Sequence, residues 1–335
     1  MARSRLRRPL CLIATVAVGV AACSSGAEHE DASSSTTTSQ AATSTTAAPT
    51  TTTTTVPPAR PADPGAKAVL TSTGVVLPVR AVAGPTTYLA TSPCGNEVTV
   101  SGAAITGADV VLDPGHGGDE SGAVGPGGTE EKTVNLAVAV DTQRDLEDRG
   151  LHVILTRTGD YRITLATRAA IAKALGPKLF LSIHHNAEPD GPRPAGPGSE
   201  TYSQIGSAES KRASGLVYEE VVKAFSAFDI AWVADTDAGA KYRPAGDGGD
   251  YYGVLRRTAG IPAVLSEAAF ISNPPEEALL RTTSFQAVEG KALARAVERF
   301  LGTDDPGSGF VEPYPRTTPA GPGGGPSGCV DPPLG

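Results

Sequence analysis

Val110-Val111-Leu112-Asp113-Pro114-Gly115-His116-Gly117-Gly118 is the stretch on which the fold turns. After Asp109 it is wholly apolar as far as Leu112, and it then breaks into a Pro-Gly turn that delivers a histidine. A continuous Val/Leu run of this length marks a strand buried on both faces, because a half-exposed strand alternates apolar and polar residues. The same grammar returns at Leu151–Thr156, Leu179–His184 and Ala263–Glu267. Between these runs, Lys132–Arg149 carries Val134, Leu136, Ala137, Val140 and Leu146 at helical spacing and stops at Gly150, a C-cap residue. Leu165–Leu175 and Ala208–Phe228 read as further helices, and Ser284 can cap a last one running to Phe300. Alternating strands and helices over residues 108–303 predict an α/β domain with a mostly parallel or mixed sheet and helices on both faces. Ligands of such sheets gather at the carboxyl ends of the strands.

The flanks are different in kind. Between Ala66 and Ser101, Val69–Leu70, Val75–Val79, Tyr88–Ala90 and Val98–Val100 read as short strands separated by Gly84-Pro85 and Cys94-Gly95-Asn96. About 40 residues build no large core alone, so residues 65–107 are read as a small β subdomain that packs on the main one. Residues 304–335 form a Gly/Pro-rich C-terminal tail.

The chain of 335 residues begins with a stretch too biased in composition to fold. Arg3, Arg5, Arg7 and Arg8 precede the short apolar segment Leu10–Ala22, the plan of a secretory signal over residues 1–22. Val20-Ala21-Ala22-Cys23 resembles a lipobox, in which Cys23 is acylated; an ordinary signal cleavage with a passive Cys23 is the alternative. Residues 23–64 are dominated by Ser, Thr, Ala and Pro, offer little apolar surface against ordering entropy, and read as a tether. The expectation is an exported protein of the cell envelope, held by a lipid on the outer face of the plasma membrane or secreted. With Cys23 lipidated, Cys94 and Cys329 are left as one disulfide pair; two free or intermolecular thiols are the alternative. A formal net charge of −8 and a pI near 5.2 argue against a nucleic-acid partner. No apolar run after the N-terminus is long enough for a transmembrane helix.

Three of the apolar runs end in residues that bind metals or move protons: Asp113 to His116, His184-His185-Asn186, and Glu267. Histidine is scarce, only His29, His116, His152, His184 and His185 being present, and His29 lies in the tether. Two histidines from separate strand ends beside a carboxylate fit a Zn²⁺ site, and a hydrolytic site needs three protein ligands. Glu130 and Glu131, which open the first helix, are equal candidates for the third on spacing alone, and acids at a helix N-terminus are also simply favourable. His152 reads as a structural residue. Asp113 reads either as a group orienting the loop that carries His116 or as plain turn chemistry.

Taken together, Val111–Gly118, Glu131-Lys132-Thr133-Val134-Asn135-Leu136, Thr156-Arg157, Ser182–Ala187 and Pro262–Asn273 resemble, in order, the zinc-dependent N-acetylmuramoyl-L-alanine amidases of family three. The resemblance implies Glu131 and not Glu130 as a ligand with His116, and His184 and not His185. The last choice has a physical basis, since successive side chains of a strand point to opposite faces. It further implies Glu267 as the catalytic acid/base and hydrolysis of the bond between N-acetylmuramic acid and L-alanine in peptidoglycan or a muropeptide, by a monomer. His185 and Asn186 stand as substrate contacts, with His185 covering a neighbouring helix as the alternative. Glu188–Gly198 and Asp235–Asp250 read as polar, Gly/Pro-rich loops bordering the cleft. A zinc carboxypeptidase and a non-catalytic wall-binding lipoprotein are the competing readings.

Overall fold

Register places the chemistry before any side chain is considered. In the computed structural model, which describes residues 60–187, 191–313 and 324–335, a six-stranded sheet runs in the order β10-β9-β11-β8-β6-β7. Its strands are β6 (Val110–Pro114), β7 (Val153–Leu155), β8 (Leu179–Asn186), β9 (Gly198–Ser203), β10 (Ala234–Lys241) and β11 (Ala263–Phe270). All neighbours pair in parallel except β9 and β11, so the sheet is mixed. The signal segment, Cys23 and most of the tether lie outside the described residues. Among the described residues no helix is long and apolar enough to cross a membrane.

Strand alternation sorts the apolar runs onto two faces. Val110, Leu112, Leu179, Leu181, Ile183 and Val264 enter one core with helices α1 (Glu131–Glu147), α3 (Ala208–Phe225) and α6 (Thr283–Gly302). Val111, Phe180, Ala263 and Leu265 enter the other with helices α2 (Leu165–Leu175) and α4 (Gly253–Arg257). Burial on both sides is why these strands are continuously apolar. Helix α2 starts where Thr164 Oγ1 accepts from Thr167 N and ends at Gly176 in the left-handed conformation. Helix α6 is capped by Thr282 in place of Ser284, two residues earlier than its sequence suggests.

Residues 68–105 form a separate antiparallel sheet of five strands, β4-β3-β2-β1-β5. These are β1 (Ala68–Leu70), β2 (Val76–Gly84), β3 (Thr87–Thr91), β4 (Glu97–Val100) and β5 (Ala103–Ile105). Ala68, Val76 and Ile105 pack into the same core as Ile171, Leu175 and Phe180, so this sheet closes over α2. Cys94 and Cys329 are joined by a disulfide with Cα atoms 5.6 Å apart, which ties the end of the chain to this small sheet.

Two expectations are corrected. Asp235–Asp250 is not one loop, because Ala234–Lys241 is the edge strand β10, and Gly198 begins the strand β9. Both strands hide their polarity by pairing it internally. Ser199 Oγ donates to Ala268 O at 2.7 Å, Thr201 Oγ1 to Ser214 O at 2.9 Å, and Lys241 Nζ to Glu200 Oε1 at 2.8 Å. Buried polar groups are tolerated when so satisfied, and the composition then no longer reads as strand.

The carboxyl ends of the central strands are locked by one buried ion pair. Asp113 accepts from Arg168 Nη1 at 2.7 Å, Thr156 Oγ1 at 2.6 Å and Ser182 Oγ at 2.7 Å. Burial opposes ionisation of Asp113, but the Arg168 charge and these donors outweigh it and hold its pKa below the usual value. Asp113 therefore contributes stability above its unfolded pKa and loses it as pH falls through its lower folded value. Arg168→Met leaves that carboxylate buried and unpaired, with an expected cost of about 3–5 kcal/mol at neutral pH. The deficit should shrink on acidification, because the unpaired, buried Asp113 of the variant takes up a proton at a higher pH than the paired one of the wild type. Urea unfolding of the two proteins at about pH 7 and about pH 4 checks both the size and the trend.

Candidate active site

His116 sits two residues beyond β6 with φ 60, the one non-glycine residue in the left-handed region among those described. That conformation is uncommon for a residue with a Cβ, and the neighbours over-determine it. Arg168 Nη2 donates to His116 O at 2.6 Å and its Nη1 to Pro114 O at 2.8 Å, while Arg157 Nη2 donates to Gly115 O at 2.9 Å. Arg157 is fully buried, and desolvation lowers its pKa to about 10. The turn is thus gripped by two guanidinium groups, and His116 is aimed across the sheet edge.

Helix α1 brings the acid. Glu131, its first residue, is buried, whereas the Glu130 side chain stays near solvent beside Lys132 at 3.4 Å. Glu131 Oε1 lies 2.9 Å from His184 Nδ1, and Oε2 lies 3.2 Å from His116 Nε2. The carboxylate also accepts from Ala123 N at 2.8 Å, His185 N at 3.2 Å and Asn135 Nδ2 at 3.1 Å. Burial works against the Glu131 charge, yet the hydrogen bonds from His116 and His184 leave its pKa well below the usual value. Burial also lowers the His184 pKa, which favours the neutral ring that a metal requires.

The structure thus brings His116, Glu131 and His184 together, with one donor atom of each within 4.8 Å of the others. Two nitrogens and a carboxylate oxygen are the donor set of a catalytic zinc site. Glycines make the room: a Cβ on Gly115 would lie 2.1 Å from the His184 ring, and one on Gly122 would lie 2.4 Å from Glu131 Oε2. The residues present fit a divalent ion.

Glu267 is the register partner of His184 on β8 and of Glu200 on β9, so the three stand in a row on one face of the sheet. Its Oε2 is buried and has no hydrogen-bond partner among the described residues. Burial, with Glu131 and Glu200 nearby, pushes the Glu267 pKa well above the usual range, and Arg243 opposes them. An ionisable oxygen held free beside a metal-binding triad is suited to exchanging a proton with a reacting water. A cleft of about 530 Å³ opens beside the two histidines, lined by His116, His184, Leu165, Tyr251, Tyr252 and Gly324.

His185 has no surface for a substrate, which corrects that expectation. Strand alternation turns it to the opposite face, where Nδ1 meets Asn135 Oδ1 at 2.8 Å and Nε2 meets Glu289 Oε2 at 3.0 Å. Burial disfavours its cation, but the Glu289 carboxylate dominates and raises its pKa. Asn186, back on the cleft face, donates from Nδ2 to Glu200 Oε2 at 2.6 Å. Glu200 was not singled out by its sequence, and only its alternation with Tyr202 could have hinted at a strand. It forms an acidic cluster with Asp235 and Asp237, and Lys241 Nζ is inserted there, 2.8 Å from Glu200 Oε1 and 3.1 Å from Asp237 Oδ1. His152 is exposed, away from the site.

A family model described as N-acetylmuramoyl-L-alanine amidase matches residues 110–299. The N-acetylmuramoyl-L-alanine amidase AmiC of Neisseria meningitidis is 29% identical over 223 residues, 58% of this chain and 53% of that protein. The chain thus spans about half of that relative's length. The N-acetylmuramoyl-L-alanine amidase AmiA of Salmonella typhimurium is 32% identical over 216 residues, 56% of this chain and 74% of the relative. Among solved structures, an N-acetylmuramoyl-L-alanine amidase from Clostridium difficile is 26% identical with a TM-score of 0.50, covering 59% of this chain and 98% of the other.

Asn135 is the group through which the buried side of β8 acts on the triad, since its Nδ2 donates to Glu131 Oε1 while its Oδ1 faces His185. Asn135→Ala is expected to weaken divalent-ion binding by about 10–100-fold, the usual effect of removing a partner that orients a ligand. Zn²⁺ titration of the full chain against a competing chromophoric chelator measures this directly, and an unchanged affinity refutes it.

Proposed function

Because this chain belongs to the N-acetylmuramoyl-L-alanine amidase family, we propose that it is a zinc-dependent amidase of bacterial peptidoglycan. It would cut the bond between the lactyl carbonyl of N-acetylmuramic acid and the amino group of L-alanine. The observation that carries this reading is the meeting of His116, Glu131 and His184 one strand away from a free oxygen of Glu267.

His116, Glu131 and His184 would hold the ion. Zinc supplies Lewis acidity, lowering the pKa of a water toward about 7 and polarising a carbonyl. Glu267 Oε2 takes a proton from the attacking water and passes it to the departing nitrogen of L-alanine, so the products are a lactyl carboxylic acid and a free amine. Its raised pKa suits both halves of that transfer. Glu131 is kept ionised by its hydrogen bonds, which separates the ligand carboxylate from the proton-carrying one. Tyr251 and Tyr252 offer ring faces along the cleft, with the Arg243 guanidinium 3.6 Å from the Tyr251 centroid. The signal-like segment and Cys23 support an exported, lipid-anchored protein whose tether gives the domain reach toward the wall.

Mass spectrometry of peptidoglycan and muropeptides after incubation with the protein is the test. Release of intact stem peptides is expected, abolished by a chelator and restored by Zn²⁺. Glu267→Ala should lose at least about a hundredfold in kcat while still binding Zn²⁺. Products lacking only terminal amino acids would instead establish a carboxypeptidase.

A further inference from the structure

The family match ends at residue 299 and begins at 110, so both cysteines of the disulfide, Cys94 and Cys329, lie outside it. The segment they secure has no helix or strand from Gly324 to Gly335 and little apolar surface beyond Val330 and Leu334. It is nonetheless tied down along its whole length. At the cleft end, Leu165 N donates to Gly324 O at 3.1 Å, Arg162 Nη2 to Gly325 O at 2.9 Å, and Arg162 Nη1 to Ser327 O at 3.1 Å. The same guanidinium pairs with Asp119 at 2.9 Å and Glu120 at 3.0 Å, on the loop that follows His116. At the far end, beyond the disulfide, Asp331 accepts from Cys94 N at 2.8 Å and from Asn96 Nδ2 at 2.9 Å. Thr73 Oγ1 donates to Pro333 O at 2.7 Å, and Leu334 packs on the core of the small sheet.

Irregular chain of this composition adds little hydrophobic burial, so its ties serve to fix where its backbone runs. That course brings Gly324 to the cavity shared by His116, His184 and Tyr252. Gly324 has φ 76, and a Cβ there would lie 2.4 Å from Leu165 Cγ, so the backbone packs on Leu165, itself a cleft residue, as closely as only glycine permits.

We propose that the disulfide-pinned segment Gly324–Gly335 holds the backbone at Gly324 as a substrate-binding wall of the cleft. It contributes affinity for the muropeptide and takes no part in bond cleavage. The inference rests on the amidase reading above, whose failure has a different signature. Covalent attachment to the five-stranded sheet gives that sheet its role, as the fixed anchor for one side of the cleft.

The experiment compares the oxidised full-length holoenzyme with the Cys94→Ser/Cys329→Ser variant on a soluble muropeptide. Release of the segment should raise KM by about tenfold with kcat within about twofold and bound zinc unchanged, the pattern of lost uniform binding. As a control against misfolding, the wild-type enzyme is reduced while folded, assayed, and reoxidised; KM should rise and then return. Unchanged KM, a fall in kcat alone, or a gain in activity overturns the inference, the last by making the segment a barrier. A wild-type enzyme that releases no stem peptide refutes the amidase reading instead. Muropeptide binding to the Glu267→Ala chain, with and without the disulfide, still decides the wall in that case.

Discussion

The Asp113–Arg168 pair is the constraint on which the active site depends. A buried charge is costly unless it is paired and hydrogen-bonded, and Asp113 is satisfied only if β6, β8, the end of β7 and α2 are all in place. Arg168 then has donors left for the carbonyls of Pro114 and His116, so the group that secures the strands also fixes the turn that leaves them. Arg157 adds a second cation, with no carboxylate partner of its own among the described residues, donating to Pro114 O, Gly115 O, Lys132 O and Gly159 O. Strain at His116 persists because leaving its conformation would break this whole set.

From that fixed edge, chemistry follows from strand pairing. Parallel pairing of β8 with β11 sets His184 beside Glu267, and antiparallel pairing of β11 with β9 sets Glu267 beside Glu200. Three side chains in one row on one face would include two like charges. The structure resolves this by neutralising Glu200 with Lys241 and leaving Glu267 the carboxyl group that most readily keeps a proton. Glu131 enters from a helix on the other side of the sheet edge and stays ionised because its oxygens are fully engaged. Environments that push two carboxyl groups apart in acidity suit one of them to ligating a cation and the other to carrying a proton.

Much of this was legible in the chain. The apolar runs ending at Asp113, His184 and Glu267 announce strands whose carboxyl ends carry reactive groups, and period-3.6 patterns announce α1, α2, α3 and α6. Strands β9 and β10 were hidden because their stability comes from buried hydrogen bonds and the Lys241–Glu200 pair, which leave a polar sequence that resembles a loop. Glu200 stayed invisible for the same reason. Of the two roles open to His185, cleft contact and cover for a helix, the second is the one taken, because its partners, Asn135 and Glu289, come from helices α1 and α6 on the face away from the cleft.

The sequence by itself determined the class of fold and the residue types, histidine and carboxylate, that stand at the ends of its strands, since hydrophobic period and residue type are local properties. Spacing alone left open which glutamate faces the histidines and which histidine turns inward, and these, with the course that brings Gly324 to the cleft, were decided by tertiary structure. Those choices depend on strand register, on the direction in which α1 leaves the sheet, and on a disulfide spanning a separation of 235 residues. Each is a long-range constraint, and no window of neighbouring residues contains it.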